Sequence, residues 1–305
     1  MNMKHQYAEL SSCNTFQNQT QFVPQRVLDI KKPELLTEAN KPEILNFLAE
    51  RPVHSVAMTS MIHDNGIENA LNRGKFYGYR NLEGTLEAVA LIGHTTLIES
   101  HTEESLAAFA LVARDSETPI HIIMSDDETI ETFWRYFAGD TRKPRLVCTE
   151  LLFELNYPVF VQNCDWNVRL AEASELEQIA EAHAEVAFIE SGVDPMLKDR
   201  EGFLKRCLNR IEKGRTFVVF ENGKLVFKVD IAAETSDVAY LEGIYVAPEL
   251  RGQSVGSRCL ARLSLHLLNR VQDICLLTNV EFKNAHKSFL KAGYKNTDCY
   301  QTIFV

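Results

Sequence analysis

No apolar run in this chain reaches the ~18 residues that a membrane-spanning helix needs, and its first residues lack the basic start and apolar core of a secretion signal. A cytoplasmic protein with no membrane partner is therefore expected. Cysteine is sparse: the seven, an odd number, are scattered at 13, 148, 164, 207, 259, 275 and 299, with no CxxC pair and no zinc-like histidine spacing. No metal centre is expected, and most of the thiols read as small buried apolar side chains in a reducing compartment. Positive charge is in deficit, 32 Lys and Arg against 42 Asp and Glu, for a formal net charge of −10. Phosphate backbones reward clustered Lys and Arg, so this balance argues against a nucleic-acid ligand. It suits a cationic or amine substrate, unless the acidity serves solubility alone. Two phosphate-binding signatures are missing as well: no GxxxxGK is followed by Ser or Thr, and no GxGxxG opens a βαβ unit.

What is present is ordinary globular material, 45% hydrophobic and 24% charged over 305 residues, a length that suits two cores better than one. Residues 1–23 are rich in Gln, Asn, Ser and Thr and read as a loose tail. From 24 to 160 helix and strand patterns alternate. "KPELLTEANKPEILNFLAER" has helical spacing, "KFYGYR" and "GTLEAVALIGHTTLIES" read as strands, "TEESLAAFALVARD" as a helix, "PIHIIMS" as a strand and "DDETIETFWRYFAG" as a capped helix. "NYPVFVQNCDW", residues 156–166, interrupts the pattern and marks a domain seam.

A second alternation fills 165–305. "WNVRLA" reads as a strand, followed by a helix with Ser174 as N-cap, Glu177 closing a capping box and Gly192 as stop. A second helix runs from Asp194 to Gly214 with Pro195 in its first turn. Two strands, "RTFVVFE" and "KLVFKVDIAAE", meet through Asn222-Gly223, a hairpin signal. The strand "DVAYLEGIYVAP" then runs into the turn "LRGQSVGS" and a helix, and "DICLLTNV", "NAHKSFLKAG" and "TDCYQTIFV" complete a strand, helix, strand tail.

The turn is the informative stretch. A loop of small residues leaving a strand and opening a helix aims several backbone N–H groups at one point, where the helix dipole is positive. Gly252 and Gly256 permit close backbone approach, Ser254 and Ser257 add hydroxyls, and Arg251 adds charge, so a pyrophosphate is the natural ligand.

These residues resemble the acyl-CoA loop of the GNAT superfamily of N-acetyltransferases. That loop follows a strand ending in Val-x-Pro and has the pattern Gln or Arg, two residues, Gly, one residue, Gly or Ala. Here the match is Val246, Pro248, Arg251, Gly252, Gln253, Ser254, Val255 and Gly256, with Ser254 where the family usually has its first glycine. If that position is left-handed, serine costs roughly 1 kcal/mol relative to glycine. "FLKAGY", Phe289 to Tyr294, resembles the family's aromatic, x, Lys, x, Gly, aromatic signature, and the order of elements over 167–305 is the family's order.

The resemblance implies an α/β fold with a mixed sheet, in tandem GNAT-like domains, and acetyl-CoA as co-substrate. It implies that Ile244, Tyr245, Val246, the turn residues 251–257 (Ser257 included), Asn284 and Phe289 bind the coenzyme, although Asn284 reads equally as an N-cap. It places a general base at Glu242, four residues before Val246, where apolar neighbours would raise the carboxyl pKa; a surface glutamate is the equal alternative. Tyr240 is a candidate lining residue of the amine pocket or a packing residue. The family's usual tyrosine acid falls at Phe289, which donates no proton, so Tyr294, Tyr300, Ser288 or a water must substitute, or no acid is needed. His183 and His266 read as packing residues.

The first half has a similar tail, but "ESHTEES" stands where the second has its basic glycine turn. It is expected to be a degenerate GNAT-like domain without a coenzyme site, walling the cleft, stabilising the active half or mediating a homodimer. The expected activity is acetyl transfer to an amine of a small molecule or peptide by direct attack in a ternary complex. The alternative is a non-catalytic coenzyme A sensor or assembly module.

Overall fold

The computed structural model describes residues 31–158 and 164–305, so the expected tail at 1–23 and the middle of the expected seam lie outside the described residues. The chain divides into two compact units, one running to Glu150 and regaining Asp298–Val305, the other formed by Leu151–Thr297.

Unit 1 contains β1 (Glu34–Leu35), α1 (Lys41–Leu48), α2 (Pro52–Asn65), β2 (Gly74–Arg80), β3 (Leu86–Gly93), β4 (Thr95–Ser100), α3 (Glu103–Arg114), β5 (Ile122–Asp126) and α4 (Asp127–Ala138). Strands β1 to β4 pair antiparallel in sequence order, and β4 runs parallel to β5. The period of two along β3 divides the core. Ala88, Ala90 and Ile92 pack with Phe109 of α3 and Phe133 of α4, whereas Val89 and Leu91 face Ile44 of α1 and Met58 and Ile62 of α2. Of these helices α2 was not foreseen, because "PVHSVAMTSMIHDN" has no apolar stripe and buries Ser55 and Ser60 beside its hydrophobic residues. The helix expected over 32–51 is confined to α1.

Strand β6 (Leu146–Leu155) carries the chain out of unit 1. Unit 2 contains β7 (Arg169–Leu170), α5 (Leu176–Ser191), α6 (Pro195–Glu212), β8 (Thr216–Glu221), β9 (Lys224–Glu234), β10 (Val238–Val246), α7 (Val255–Leu267), β11 (Asp273–Asn279) and α8 (Lys283–Lys291), and β12 (Lys295–Phe304) begins there. Strands β7 to β10 pair antiparallel, and β10 runs parallel to β11. The β8–β9 turn has Asn222 and Gly223 both at positive φ, as its sequence requires. Gly192 ends α5 in the left-handed region, but the cap at its start differs from expectation: the capping box joins Glu172 and Glu175, and Ser174 lies inside the short turn between them.

The mixed α/β sheet class agrees with the sequence; the expected boundaries, 24–160 and 165–305, need correction. Asp298–Val305 belong to unit 1 because Tyr300–Phe304 of β12 pair antiparallel with Asp126–Ile122 of β5. Leu151 onward belongs to unit 2, before the expected seam. A local pattern marks a strand but not its ladder partner. Cys207, Cys259 and Cys275 are buried free thiols and Cys164 is a half-buried one, Cys148 is buried, and Cys299 is disulfide-bonded. No described helix is long and apolar enough to cross a membrane.

Candidate functional site

Strands β10 and β11 pair from Val238↔Asp273 to Leu241↔Leu276 and no further, while β10 continues against β9 to Val246. Between Glu242 and Tyr245 the β9 pairing shifts by one residue, a bulge at which Gly243 takes φ +59°. The half-buried segment Glu242–Val246 is thereby left unpaired on its β11 side among the described residues, an extended edge able to hydrogen-bond a ligand.

The turn follows at once. Gly252 adopts φ +79° and a Cβ there would meet nothing within 4 Å, so the backbone lies open. Ser254 adopts φ +61°, so the left-handed conformation is required and the serine carries its cost. The N–H groups of Gly252, Ser254, Val255, Gly256 and Ser257 have no backbone partner among the described residues, and no side chain caps α7. Gly256 is small for a different reason than expected: its Cβ would sit 3.0 Å from Cγ2 of Val246, so it lets α7 lie close to β10. Ser257 Oγ donates to Ser254 O (3.1 Å), and Gln253 Nε2 to Glu249 O (2.9 Å). Arg251 is turned back, donating from Nε to Val246 O (2.9 Å) and pairing through Nη2 with Glu185 (2.8 Å). Arg258, which no sequence motif indicated, reaches the carbonyls of Gln253 and Ser254, both at 3.4 Å. Open donors, a positive helix end and absent side-chain bulk fit the diphosphate of a coenzyme.

Glu242 sits where β10 leaves β11, but not among apolar neighbours. Its Oε1 lies 3.2 Å from Nη1 of Arg210 on α6, which also binds Asp230 Oδ2 at 2.7 Å. Asp230 in turn meets Lys228, and its Oδ1 accepts from Thr216 (2.7 Å). Lys228 Nζ lies 2.8 Å from His183 Nδ1 and 3.2 Å from the Gly243 carbonyl. Burial opposes the charge of Asp230, yet the Lys228 and Arg210 cations outweigh it and hold its carboxyl far below the usual range. Burial and the Lys228 ammonium lower the His183 pKa, keeping the ring neutral. His183, Asp230 and Glu242 have the donor set of a small metal site, but Lys228 and Arg210 already supply its cations. His183 stacks on Phe203, as a packing residue would, yet it also belongs to this polar cluster. The available signal was "FKVD": Lys228 and Asp230, two apart in an otherwise apolar strand, share a face.

The remaining candidates separate. Tyr240 and Ile244 are half-buried on β10, and the Tyr245 ring packs on the Ile179, Val218 and Leu225 core, which leaves its backbone at the opening. Tyr294 is not a catalytic acid: it is 1% exposed, burial raises its pKa against the lowering bond to Ser264, and its hydroxyl lies 2.8 Å from Ser264 Oγ. Phe289 is a core residue in edge contact with Phe153, not a coenzyme contact. Asn284 is exposed within the first turn of α8, whose N-cap is Phe282, so Asn284 does not cap the helix.

The equivalent turn of unit 1 is closed. Thr102 caps α3 by accepting from Ser105 N (3.4 Å), Ser100 Oγ lies 2.6 Å from Ser105 Oγ, and Glu103 and Glu104 occupy the first turn. Beyond the paired stretch of β4 and β5, Arg51 spans from Glu99 (2.8 Å) to Asp126 (3.1 Å), and Ser125 Oγ donates to Ile98 O (3.0 Å).

Residues 212–296 match the family model of an acetyltransferase (GNAT) domain. No curated protein sequence matches the chain. Among solved structures it is similar to a tandem GNAT protein from the clavulanic acid biosynthesis pathway (12% identity, TM-score 0.55, 89% of this chain and 97% of that one). It is also similar to a GCN5-related N-acetyltransferase from Sphaerobacter thermophilus (12%, 0.59, 89% and 94%) and a GNAT-family acetyltransferase from Colwellia psychrerythraea (15%, 0.53, 90% and 100%). An open turn beside an unpaired strand edge thus lies inside a segment, 212–296, that matches a GNAT acetyltransferase domain, in a chain that shares its fold over most of its length with a tandem GNAT protein.

Proposed function

We propose that the chain is an acyl-CoA-dependent N-acetyltransferase that moves an acetyl group to an amine of a small molecule or peptide within a ternary complex. The observation that carries this reading is the set of five N–H groups in the turn and at the start of α7 that have no backbone partner among the described residues, directly following a strand edge that no other described strand covers. The coenzyme supplies an activated thioester when bound. The chain's own residues do the rest. The turn 251–257 holds the diphosphate, and the backbone of Ile244 to Val246 aligns the arm. Glu242 accepts the amine proton, directly or through one water. Tyr240, two residues earlier on the same strand, lines the acceptor side.

The reading in which the chain binds coenzyme A without catalysis draws support from one feature: Glu242 is already engaged, its Oε1 3.2 Å from Nη1 of Arg210, instead of standing free beside the strand edge. Calorimetric titration with acetyl-CoA, followed by an amine screen for free thiol release, separates the two. One site per chain and amine-dependent thiol release are expected, with Glu242→Gln lowering turnover by about 10² to 10⁴ while coenzyme binding holds. Binding without release for any amine favours the sensor; absence of binding overturns both.

A further inference from the structure

The polar cluster beneath the β10 bulge is costly for stability alone. Lys228 and Asp230 are 0% and 2% exposed, and two charges in such a place cost more desolvation than apolar residues of the same size would. Their partners indicate what they are for. The three protons of the Lys228 ammonium have three acceptors: Asp230, His183 Nδ1 and the carbonyl of Gly243. Gly243 lies directly over that ammonium, since a Cβ at this residue would fall 2.7 Å from Nζ. Asp230 reaches the neighbouring residue by another route, holding Arg210 so that Nη1 lies 3.2 Å from the Glu242 carboxylate. One buried pair on β9 therefore fixes both the side chain of Glu242 and the backbone of Gly243, the two consecutive residues at which β10 parts from β11.

We propose that Lys228 and Asp230 are positioning residues, setting the bulge at Glu242-Gly243 so that base and strand edge meet the acetyl group and the amine in register. This inference rests on the acetyltransferase reading. Neither residue is placed against substrate; both act through Arg210, Glu242 and Gly243.

The decisive variant is the double substitution K228M/D230N. Met keeps the length of Lys, Asn keeps the shape of Asp and an acceptor for Thr216, and no buried charge is left alone. Two readouts apply. In the ligand-free protein, amide hydrogen exchange over residues 241–247 should quicken while α7 and β8 keep wild-type protection. With an amine from the screen, kcat should fall about tenfold or more with KM for acetyl-CoA within about twofold, because misplacing reacting groups costs turnover and not coenzyme affinity. Should the double variant fail to fold, R210K serves instead: Arg210 is partly exposed, and the shorter ammonium cannot hold Asp230 and Glu242 together. The same split between kcat and KM is expected. Unchanged exchange and unchanged kcat overturn the proposal. Faster exchange at 241–247 in a chain whose wild type releases no thiol leaves the tether standing but overturns its catalytic purpose, and identifies the failure as that of the acetyltransferase reading.

Discussion

The two units carry the same strand, turn and helix, and the turns end in opposite states. In unit 1, the Thr102 side chain accepts from the Ser105 N–H at the start of α3, while Glu103 and Glu104 neutralise the positive helix end. In unit 2 nothing caps α7, no acid occupies its first turn, and a left-handed serine is tolerated at its entrance. The strand edges differ in the same sense. Arg51 and Ser125 bridge β4 and β5 past their paired stretch, whereas β10 leaves β11 unbridged among the described residues. A helix that is side-chain capped and acidic in its first turn has less to offer an anion. The lesson is that an anion site is defined as much by satisfaction withheld as by groups provided.

The largest effect is expected from making the second turn like the first. Gly256→Glu puts an acid in the first turn of α7 and a Cβ 3.0 Å from Val246 Cγ2. Acetyl-CoA affinity should fall about a hundredfold, roughly 2.7 kcal/mol, by calorimetry. An unchanged affinity would remove the anion site from this turn.

Next comes the reverse edit. Thr102→Ala uncaps α3 and should cost about 1 kcal/mol of stability in denaturant unfolding. Titration of the variant should still find one coenzyme site per chain; a second site would show that capping alone had closed unit 1.

Smaller again is Ser254→Gly, which relieves a left-handed non-glycine residue and should stabilise by about 1 kcal/mol or less, with coenzyme affinity held. A lower thermal midpoint would show that the serine hydroxyl is needed more than the backbone freedom.

Finally, the units share a pH response. Burial first, then a neighbouring cation, lowers the pKa of His54 beside Arg51 in unit 1 and of His183 beside Lys228 in unit 2. The folded chain then binds protons less readily than the unfolded one, so stability is fully present above the unfolded value of about 6.5 and is lost as pH falls below it. The thermal midpoint should decline between about pH 7 and pH 5, and His183→Gln should flatten part of that decline. A flat profile would mean that neither ring is held neutral by its surroundings.

Much of this was legible in the residue order. The turn at 251–257, the hairpin at Asn222-Gly223, Pro195 in the first turn of its helix and the lack of glycine in "ESHTEES" are local signals, because each depends on the conformational preference or hydrogen bonding of a few adjacent residues. The surroundings of Glu242 were less legible. Glu242 looked like a carboxylate among apolar residues because Tyr240, Leu241, Ile244 and Tyr245 surround it in sequence, while Arg210 comes from another helix. Tyr294 is one of several candidate acids in the sequence, yet its hydroxyl is committed to Ser264, 30 residues away.

By itself, then, the sequence determined the alternation of strands and helices, and that the turn at 251–257 is basic and glycine-containing where the first half's is acidic and without glycine; these follow from backbone preferences and local charge. Only the tertiary structure decided that the last strand, from Asp298, completes the first unit, that β10 and β11 part after Leu241, and that a buried Lys228–Asp230 pair lies beneath Gly243. Strand pairing and charge pairing join residues far apart along the chain, and their energies depend on what surrounds each group after folding, which no window of adjacent residues contains.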